Sequence, residues 1–127
     1  MVRSSHPTTI EVTTEEYLTE NGDCIIGVGA TKGCGGLRVD LKERLRQEGS
    51  KVKIRLIVGG ESYELNARGD PRLALSNPHE VVIRKSDFVS DRTLAVKADS
   101  AARDLPRKLV HLLRDPKTTG RLEIEVL

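Results

Sequence analysis

The residues best suited to chemistry lie in one short stretch that follows a predicted strand. Six of them combine two arginines, a lysine, two hydroxyl side chains and an aspartate: Arg84, Lys85, Ser86, Asp87, Arg92 and Thr93. Arginine holds a carboxylate or phosphate through two parallel N–H groups, and hydroxyl groups add further donors. The stretch therefore predicts a binding site for an anionic ligand. The alternative is a solvated loop whose surface ion pairs contribute little.

Three further residues are weaker candidates for the same site. Asp23 precedes a predicted buried strand, Lys32 lies in a glycine-rich loop, and Arg68 lies in a turn. Ordinary turn and surface roles explain each of them as well. Asp87 or Asp23 could instead serve as the general base of an enzyme whose arginines hold the substrate.

The glycine-rich loop over 27–36 follows a strand and opens a helix, where backbone N–H groups can hold phosphates. It lacks the Gly-Lys-Ser/Thr of a P-loop, so a loop that accommodates small residues is the favoured interpretation. No metal-ligand spacing occurs, so we predict no metal site, while the sequence leaves any cofactor unknown. Cys24 is expected to be buried and Cys34 to be more exposed and reactive, and a disulfide between them is left open.

Seven segments carry the apolar patterns of strands. Residues 52–58 alternate apolar and polar side chains, and the Gly59–Gly60 pair permits a tight turn into a return strand over 63–67. The other strands are predicted at 9–13, 24–28, 81–83, 94–98 and 122–126.

Two segments carry helical spacing. Leucines recur every fourth residue over 37–45, and a broader apolar stripe runs over 101–113. Asp99 is predicted to cap the second helix at its N-terminus. Pro106 predicts either a kink in this helix or a start nearer Asp104.

The second half of the chain resembles the first. A shift of 68 residues brings Val28 onto Val96 and the leucines of the first helix onto those of the second. We therefore predict one domain over 1–127, built from halves at about 8–58 and 80–127. A hairpin and loop over 59–79 joins them. The alternative is that any two strand–helix–strand units match where both need buried residues.

Composition limits the possible classes of function. The 127 residues include 21 basic and 19 acidic side chains and only three aromatic ones, a poor match to the strongly basic surface of most nucleic-acid binders. No apolar run approaches the roughly 20 residues of a membrane span. With two cysteines and no expected signal peptide, a cytoplasmic protein is predicted.

Several motifs resemble an archaeal family catalogued as domain of unknown function three-seven-one. The matching motifs are GDCIIGV at 22–28, RKSDF at 84–88, RTL at 92–94, AD at 98–99 and DL at 104–105. The resemblance extends from about His6 to the end of the chain. It implies a small, strand-rich archaeal protein without an assigned activity, and it supplies no catalytic residue. The glycine content over 33–36 and a shortened segment before His6 depart from the family pattern.

These observations predict a strand-rich α+β fold with a duplicated strand–strand–helix–strand unit. About seven mostly antiparallel strands should form a sandwich or partly open barrel with two helices. The predicted function is binding of an anionic ligand: a nucleotide, a phosphorylated metabolite or an RNA segment. The alternatives are a small enzyme with a loop aspartate as base, and a structural or assembly module whose edge strands form a homo-oligomer.

Overall fold

The structure is a computed structural model that describes residues 6–13, 25–27, 33–115 and 118–127. Within these residues it contains seven strands and two α-helices. The strands are β1 (Thr9–Thr13), β2 (Ile25–Gly27), β3 (Lys51–Val58), β4 (Glu61–Arg68), β5 (Glu80–Arg84), β6 (Thr93–Ala95) and β7 (Gly120–Val126). The helices are α1 (Val39–Leu45) and α2 (Arg107–Leu113). A 3₁₀ turn precedes each helix, at Cys34–Gly36 and Ala102–Asp104.

The strands form two sheets. The four-stranded sheet has the order β2-β1-β5-β6, with β1 antiparallel to β5 and each outer strand parallel to its neighbour. The three-stranded sheet has the order β4-β3-β7 and is antiparallel throughout. A bridge between Arg68 and Val96 joins the two sheets at one corner, with N–O distances of 2.8 and 2.9 Å. The predicted strand-rich α+β fold is confirmed.

The hairpin β3–β4 shows how the apolar pattern fixes a strand. Side chains of β3 alternate between buried and partly exposed, because successive residues of a strand point to opposite faces. Gly59 has a φ of +58°, the left-handed conformation that the tight turn requires. The hairpin confirms the predicted alternation and turn.

A single apolar core joins both sheets and both helices. Its fully buried members include Ile54 of β3, Ile83 of β5, Leu94 of β6 and Leu109 of α2. Val82 of β5 is also buried but lies outside this core, on the opposite face of the four-stranded sheet. Both faces of that sheet are therefore covered at β5.

The second helix is shorter than the predicted stripe. It begins at Arg107, directly after Pro106, because proline is tolerated at a helix start but not in its interior. The 3₁₀ turn accounts for the earlier part of the stripe. The predicted cap is wrong: the carboxylate of Asp99 accepts hydrogen bonds from the backbone and side-chain nitrogens of Asn66, at 3.1 and 3.2 Å.

The order of elements repeats along the chain. The 3₁₀ turns and the helices of the two halves occupy the same positions after a shift of 68 residues. The parallel pairs β1–β2 and β5–β6 show the same shift in register between their two paired positions. In β1–β2 these are Glu11↔Ile25 and Val12↔Gly27, and in β5–β6 they are Val82↔Thr93 and Ile83↔Ala95. This arrangement supports the duplicated unit, while the boundaries of the two halves stay a prediction.

The correspondence implies a pseudo-two-fold axis. Under the shifts of 71 and 70 residues, Glu11 maps onto Val82 and Ile54 maps onto Ile124, and each of these pairs is directly opposed in an antiparallel ladder. The axis therefore passes through both sheets. β4 has no counterpart in the described part of the second half, so the three-stranded sheet is asymmetric.

β6 ends earlier than predicted, and this ending helps to form the site described below. The strand stops at Ala95, Val96 makes the bridge to Arg68, and Lys97 has a φ of +52°. Neither helix in the described part of the chain has the length and apolar character of a membrane-spanning segment.

Candidate functional site

The structure divides the six residues of the predicted cluster into two groups. Arg84, Arg92 and Thr93 meet on the face of the four-stranded sheet that points away from the core, together with Glu11 and Glu80. We call these five residues the outer-face cluster. Lys85, Ser86 and Asp87 make their contacts elsewhere.

Arg84 is positioned by hydroxyl groups and by an aromatic ring. Its Nε donates to Thr93 Oγ1 at 3.0 Å and its Nη2 to Ser90 Oγ at 3.4 Å. The guanidinium carbon lies 4.9 Å from the centre of the Phe88 ring, within cation–π range. Phe88 itself is 60% exposed. Arg84 is thus held in place at the end of β5.

Arg92 is held between two carboxylates. Its Nη1 donates to Glu80 Oε2 at 2.5 Å and to Glu11 Oε1 at 3.2 Å. The Glu11 side chain is only 8% exposed. Burial and the neighbouring Glu80 raise the pKa of Glu11 above its ordinary value, while Arg92 and Arg84 oppose that rise. The positive charge of Arg92 is therefore compensated within the protein.

Glu11 and Glu80 were not singled out by sequence reasoning, although a signal was present. The uninterrupted apolar run Val81–Ile83 indicates a strand that is covered on both faces. A polar residue paired with the middle of that strand must then be buried, and Glu11 is paired with Val82. The signal needed the pairing of β1 with β5, which one sequence does not reveal.

Lys85, Ser86 and Asp87 lie along the chain after Arg84. Lys85 Nζ lies 3.2 Å from Asp104 Oδ2, beside the second 3₁₀ turn. Ser86 Oγ accepts a hydrogen bond from the backbone N–H of Phe88 at 3.3 Å. The carbonyl oxygen of Asp87 accepts one from Arg72 Nη2 at 3.0 Å. Through Arg72, this segment contacts a separate groove.

The groove lies at the corner where β4 meets the end of β6, and we call it the corner groove. Its volume is about 530 Å³. It is lined by three cations, two acids and the small or apolar residues between them: Glu48, Gly49, Arg68, Gly69, Asp70, Pro71, Arg72, Val96 and Lys97. Of the predicted site residues, it contains Arg68.

Backbone geometry fixes the cations of the corner groove. Arg68 is the last residue of β4, and its Nη1 donates weakly to the carbonyl of Gly49 at 3.4 Å. Gly49 and Lys97 both have positive φ values, +65° and +52°. Arg72 grips Asp70 through two bonds of 3.0 Å, and these contacts hold the pKa of Asp70 below its usual range. Arg72 therefore forms an ion pair with Asp70, whereas Arg68 and Lys97 form no ion pair within 4.0 Å with any described residue.

Two predicted site residues, Asp23 and Lys32, lie outside the described residues. The described part of the glycine-rich loop gives its glycines a packing role. A Cβ at Gly33 would lie 2.5 Å from the backbone nitrogen of His79, and one at Gly35 would lie 2.8 Å from the carbonyl of Ser76. These two glycines are needed for close contact with a neighbouring turn.

The expectation of an exposed, reactive Cys34 is wrong. Cys34 is a free thiol that is fully buried in the core, and its Sγ donates to the carbonyl of Arg92 at 3.2 Å. Burial raises the pKa of this thiol to about 12. The nucleophilic thiolate is therefore suppressed. In the described part of the chain, no three His, Cys, Asp or Glu side chains are grouped to hold a metal ion.

Comparison with known proteins identifies the family of this chain but adds no chemistry. The family model described as "Domain of unknown function (DUF371)" matches residues 1–127. An uncharacterised protein of the archaeon Methanocaldococcus jannaschii is 37% identical over 116 residues, which cover 91% of this chain and 85% of the relative. The chain is therefore a member of the DUF371 family.

Proposed function

We propose that this protein binds a phosphate-bearing anionic ligand in the corner groove. The observation that carries the proposal is the charge of the lining, where three cations face two acids. Asp70 is bonded to Arg72, and the charge of Lys97 also acts on it. Among the described residues, Arg68 and Lys97 form no ion pair of their own, so both can still attract an incoming anion. Guanidinium and ammonium groups are the usual protein donors to phosphate oxygens.

The corner groove suits this role better than the outer-face cluster. In the outer-face cluster, Arg92 already forms ion pairs with Glu11 and Glu80. An anion that bound Arg92 would therefore have to displace the buried carboxylate of Glu11. The residues first predicted for the site still contribute, because the carbonyl of Asp87 positions Arg72. In this proposal, the segment over 84–93 contributes to the groove through this hydrogen bond to Arg72.

The ligand class stays the one predicted from the sequence: a nucleotide, a phosphorylated metabolite or an RNA segment. A groove of about 530 Å³ is within the range of small-molecule sites. We place the protein in the cytoplasm, where such ligands are abundant, on the grounds of its cysteine usage.

The test is a binding titration that compares inorganic phosphate, pyrophosphate, nucleotides and a short RNA. Arg68→Gln and Lys97→Gln should each weaken binding by roughly 10- to 150-fold, because a hydrogen bond to a charged group contributes about 1.5–3 kcal/mol. Lys108→Gln is the matched control, since Lys108 is exposed and pairs with Glu61 outside the groove. Binding should also weaken as salt is added.

Two results would overturn the proposal. The first is the absence of binding by every probe at low ionic strength. The second is binding that survives Arg68→Gln and Lys97→Gln but is lost in Arg84→Gln, which would assign the ligand to the outer-face cluster instead.

A further inference from the structure

β7 lies at one edge of the three-stranded sheet. β3 pairs with it on one side, and in the described residues no strand pairs with it on the other. β4 covers the corresponding edge of β3, but the described part of the second half supplies no equivalent of β4. An edge strand of seven residues presents a row of backbone donors and acceptors that another strand can use.

The ladder with β3 shows which groups of β7 are available. The backbone N–H of Leu127 donates to the carbonyl of Lys51 at 2.8 Å, which places this opposed pair at a hydrogen-bonded position of the ladder. In an antiparallel ladder such pairs alternate along the strand. The odd-numbered residues of β7 therefore bond to β3, and the even-numbered ones, Leu122, Ile124 and Val126, direct their N–H and C=O groups outward.

The side chains along this edge are incompletely covered. Leu122, Ile124 and Val126 pack against the core but stay partly exposed, unlike Val52, Ile54 and Leu56, which oppose them on β3 and are buried. A strand added to this edge would cover more of these side chains. On the other face, β7 carries charged side chains at alternate positions: Arg121, Glu123 and Glu125.

We propose that β7 pairs antiparallel with β7 of a second copy of this chain, in a register centred on Glu123. Leu122 then lies opposite the partner's Ile124, and both residues have outward backbone groups, as hydrogen-bonded pairs require. Arg121 lies opposite the partner's Glu125, so two attractive charge pairs form across the interface. The two three-stranded sheets become one sheet of six strands.

Charge and overlap select this register among those that the hydrogen bonding allows. A register centred on Ile124 would place Glu123 opposite the partner's Glu125 at two positions, so that like charges would repel. Centring it on Leu122 would leave two residues at the end of β7 without a β7 partner. In the proposed register the full strand overlaps. The two Glu123 side chains meet at the axis, but each already pairs with Arg55 at 3.2 Å and Arg121 at 3.3 Å.

The experiment measures molar mass by light scattering or sedimentation across a concentration series. The full-length wild type should be a dimer. Arg121→Glu alone places an acid opposite the partner's Glu125 at both contacts. Glu125→Arg alone places a base opposite the partner's Arg121 at both contacts. Because like charges repel, each single variant should be monomeric. An equimolar mixture of the two variants restores both attractive pairs and should form heterodimers, and the double variant should form homodimers. Lys108→Glu, on an exposed helical residue, makes the same charge change as a control and should stay dimeric.

Each other outcome contradicts the proposal. A wild type that stays monomeric at all concentrations removes the interface. A dimer that persists in both single variants places the contact elsewhere. Monomeric single variants that fail to recombine, with native circular dichroism and unfolding temperatures, refute the antiparallel register.

Discussion

Replacing Arg92 by alanine tests how the outer-face cluster is balanced. The substitution leaves the Glu11 carboxylate, only 8% exposed, beside Glu80 without the cation that both share. Removing one partner of a fully buried ion pair costs about 3–5 kcal/mol. Arg92 is 40% exposed and therefore partly screened by solvent, so we expect a smaller loss of about 2 kcal/mol in the free energy of unfolding. For a domain of this size, that corresponds to a melting temperature lower by roughly 6–10 °C.

The loss should depend on pH with a defined sign. The pKa of Glu11 is already raised in the folded protein, and removal of Arg92, which lowers it, raises it further. A group with a raised folded-state pKa contributes stability below its unfolded value, here 4.5, and loses that contribution as pH rises through the folded value. Arg92→Ala should therefore be mild below pH 4.5 and become more destabilising toward neutral pH.

The assay is denaturant unfolding of the wild type, Arg92→Ala, Glu11→Gln and the double variant across this pH range. Glu11→Gln removes the buried charge, so it should recover most of the loss when combined with Arg92→Ala. Arg38→Ala is the control, because the Arg38–Asp40 pair is fully exposed and should not affect stability measurably. A loss that is equal at acid and neutral pH, or that Glu11→Gln fails to reduce, would refute the reasoning.

Three further predictions follow from local geometry. Gly35→Ala should lower the free energy of unfolding by about 1–3 kcal/mol, because the added Cβ would meet the carbonyl of Ser76. Gly60→Ala is the control and should be tolerated, since the space around Gly60 is open. Equal effects of the two substitutions in chemical denaturation would contradict this. Lys97→Gly should raise the free energy of unfolding by about 1 kcal/mol, because glycine adopts the φ of +52° without the strain of a side chain. The same substitution should weaken phosphate binding. A lower free energy of unfolding would show that Lys97 is not strained. Cys34, with a pKa of about 12, should react with iodoacetamide only after unfolding, and peptide mapping that finds it alkylated in the native protein would contradict its burial.

Much of the fold could be predicted because its patterns are local. The alternation over β3, β4 and β7 and the turn at Gly59 depend only on neighbouring residues, and they appear as expected. Pro106 correctly indicated an interruption, but the stripe around it concealed a separate 3₁₀ turn. The internal repeat could be predicted from the matching apolar positions, but only the structure, with its matching turns, helices and interrupted registers, distinguishes it from a chance match of two similar units.

The site could be predicted only in part, because it depends on contacts between distant segments. Arg68 joins Lys97 through the bridge to Val96, which links β4 to the end of β6. The partnership of Arg92 with Glu11 spans both halves of the chain. Sequence spacing grouped Arg84 with Arg92 and left out Arg72, since the contact between Arg72 and Asp87 forms only once the corner is folded.

The position of β4 has a consequence for the spacing of sites in a dimer. β4 brings Arg68 to the junction of the two sheets, where its backbone bridges to Val96. The corner groove is therefore a cationic recess at the opposite edge of the three-stranded sheet from β7. In a β7-paired dimer, five strand spacings of about 4.8 Å separate the two β4 strands, so the recesses lie roughly 24 Å or more apart. Small anions would occupy them independently, and an extended polyanion long enough to span that gap would gain avidity from both.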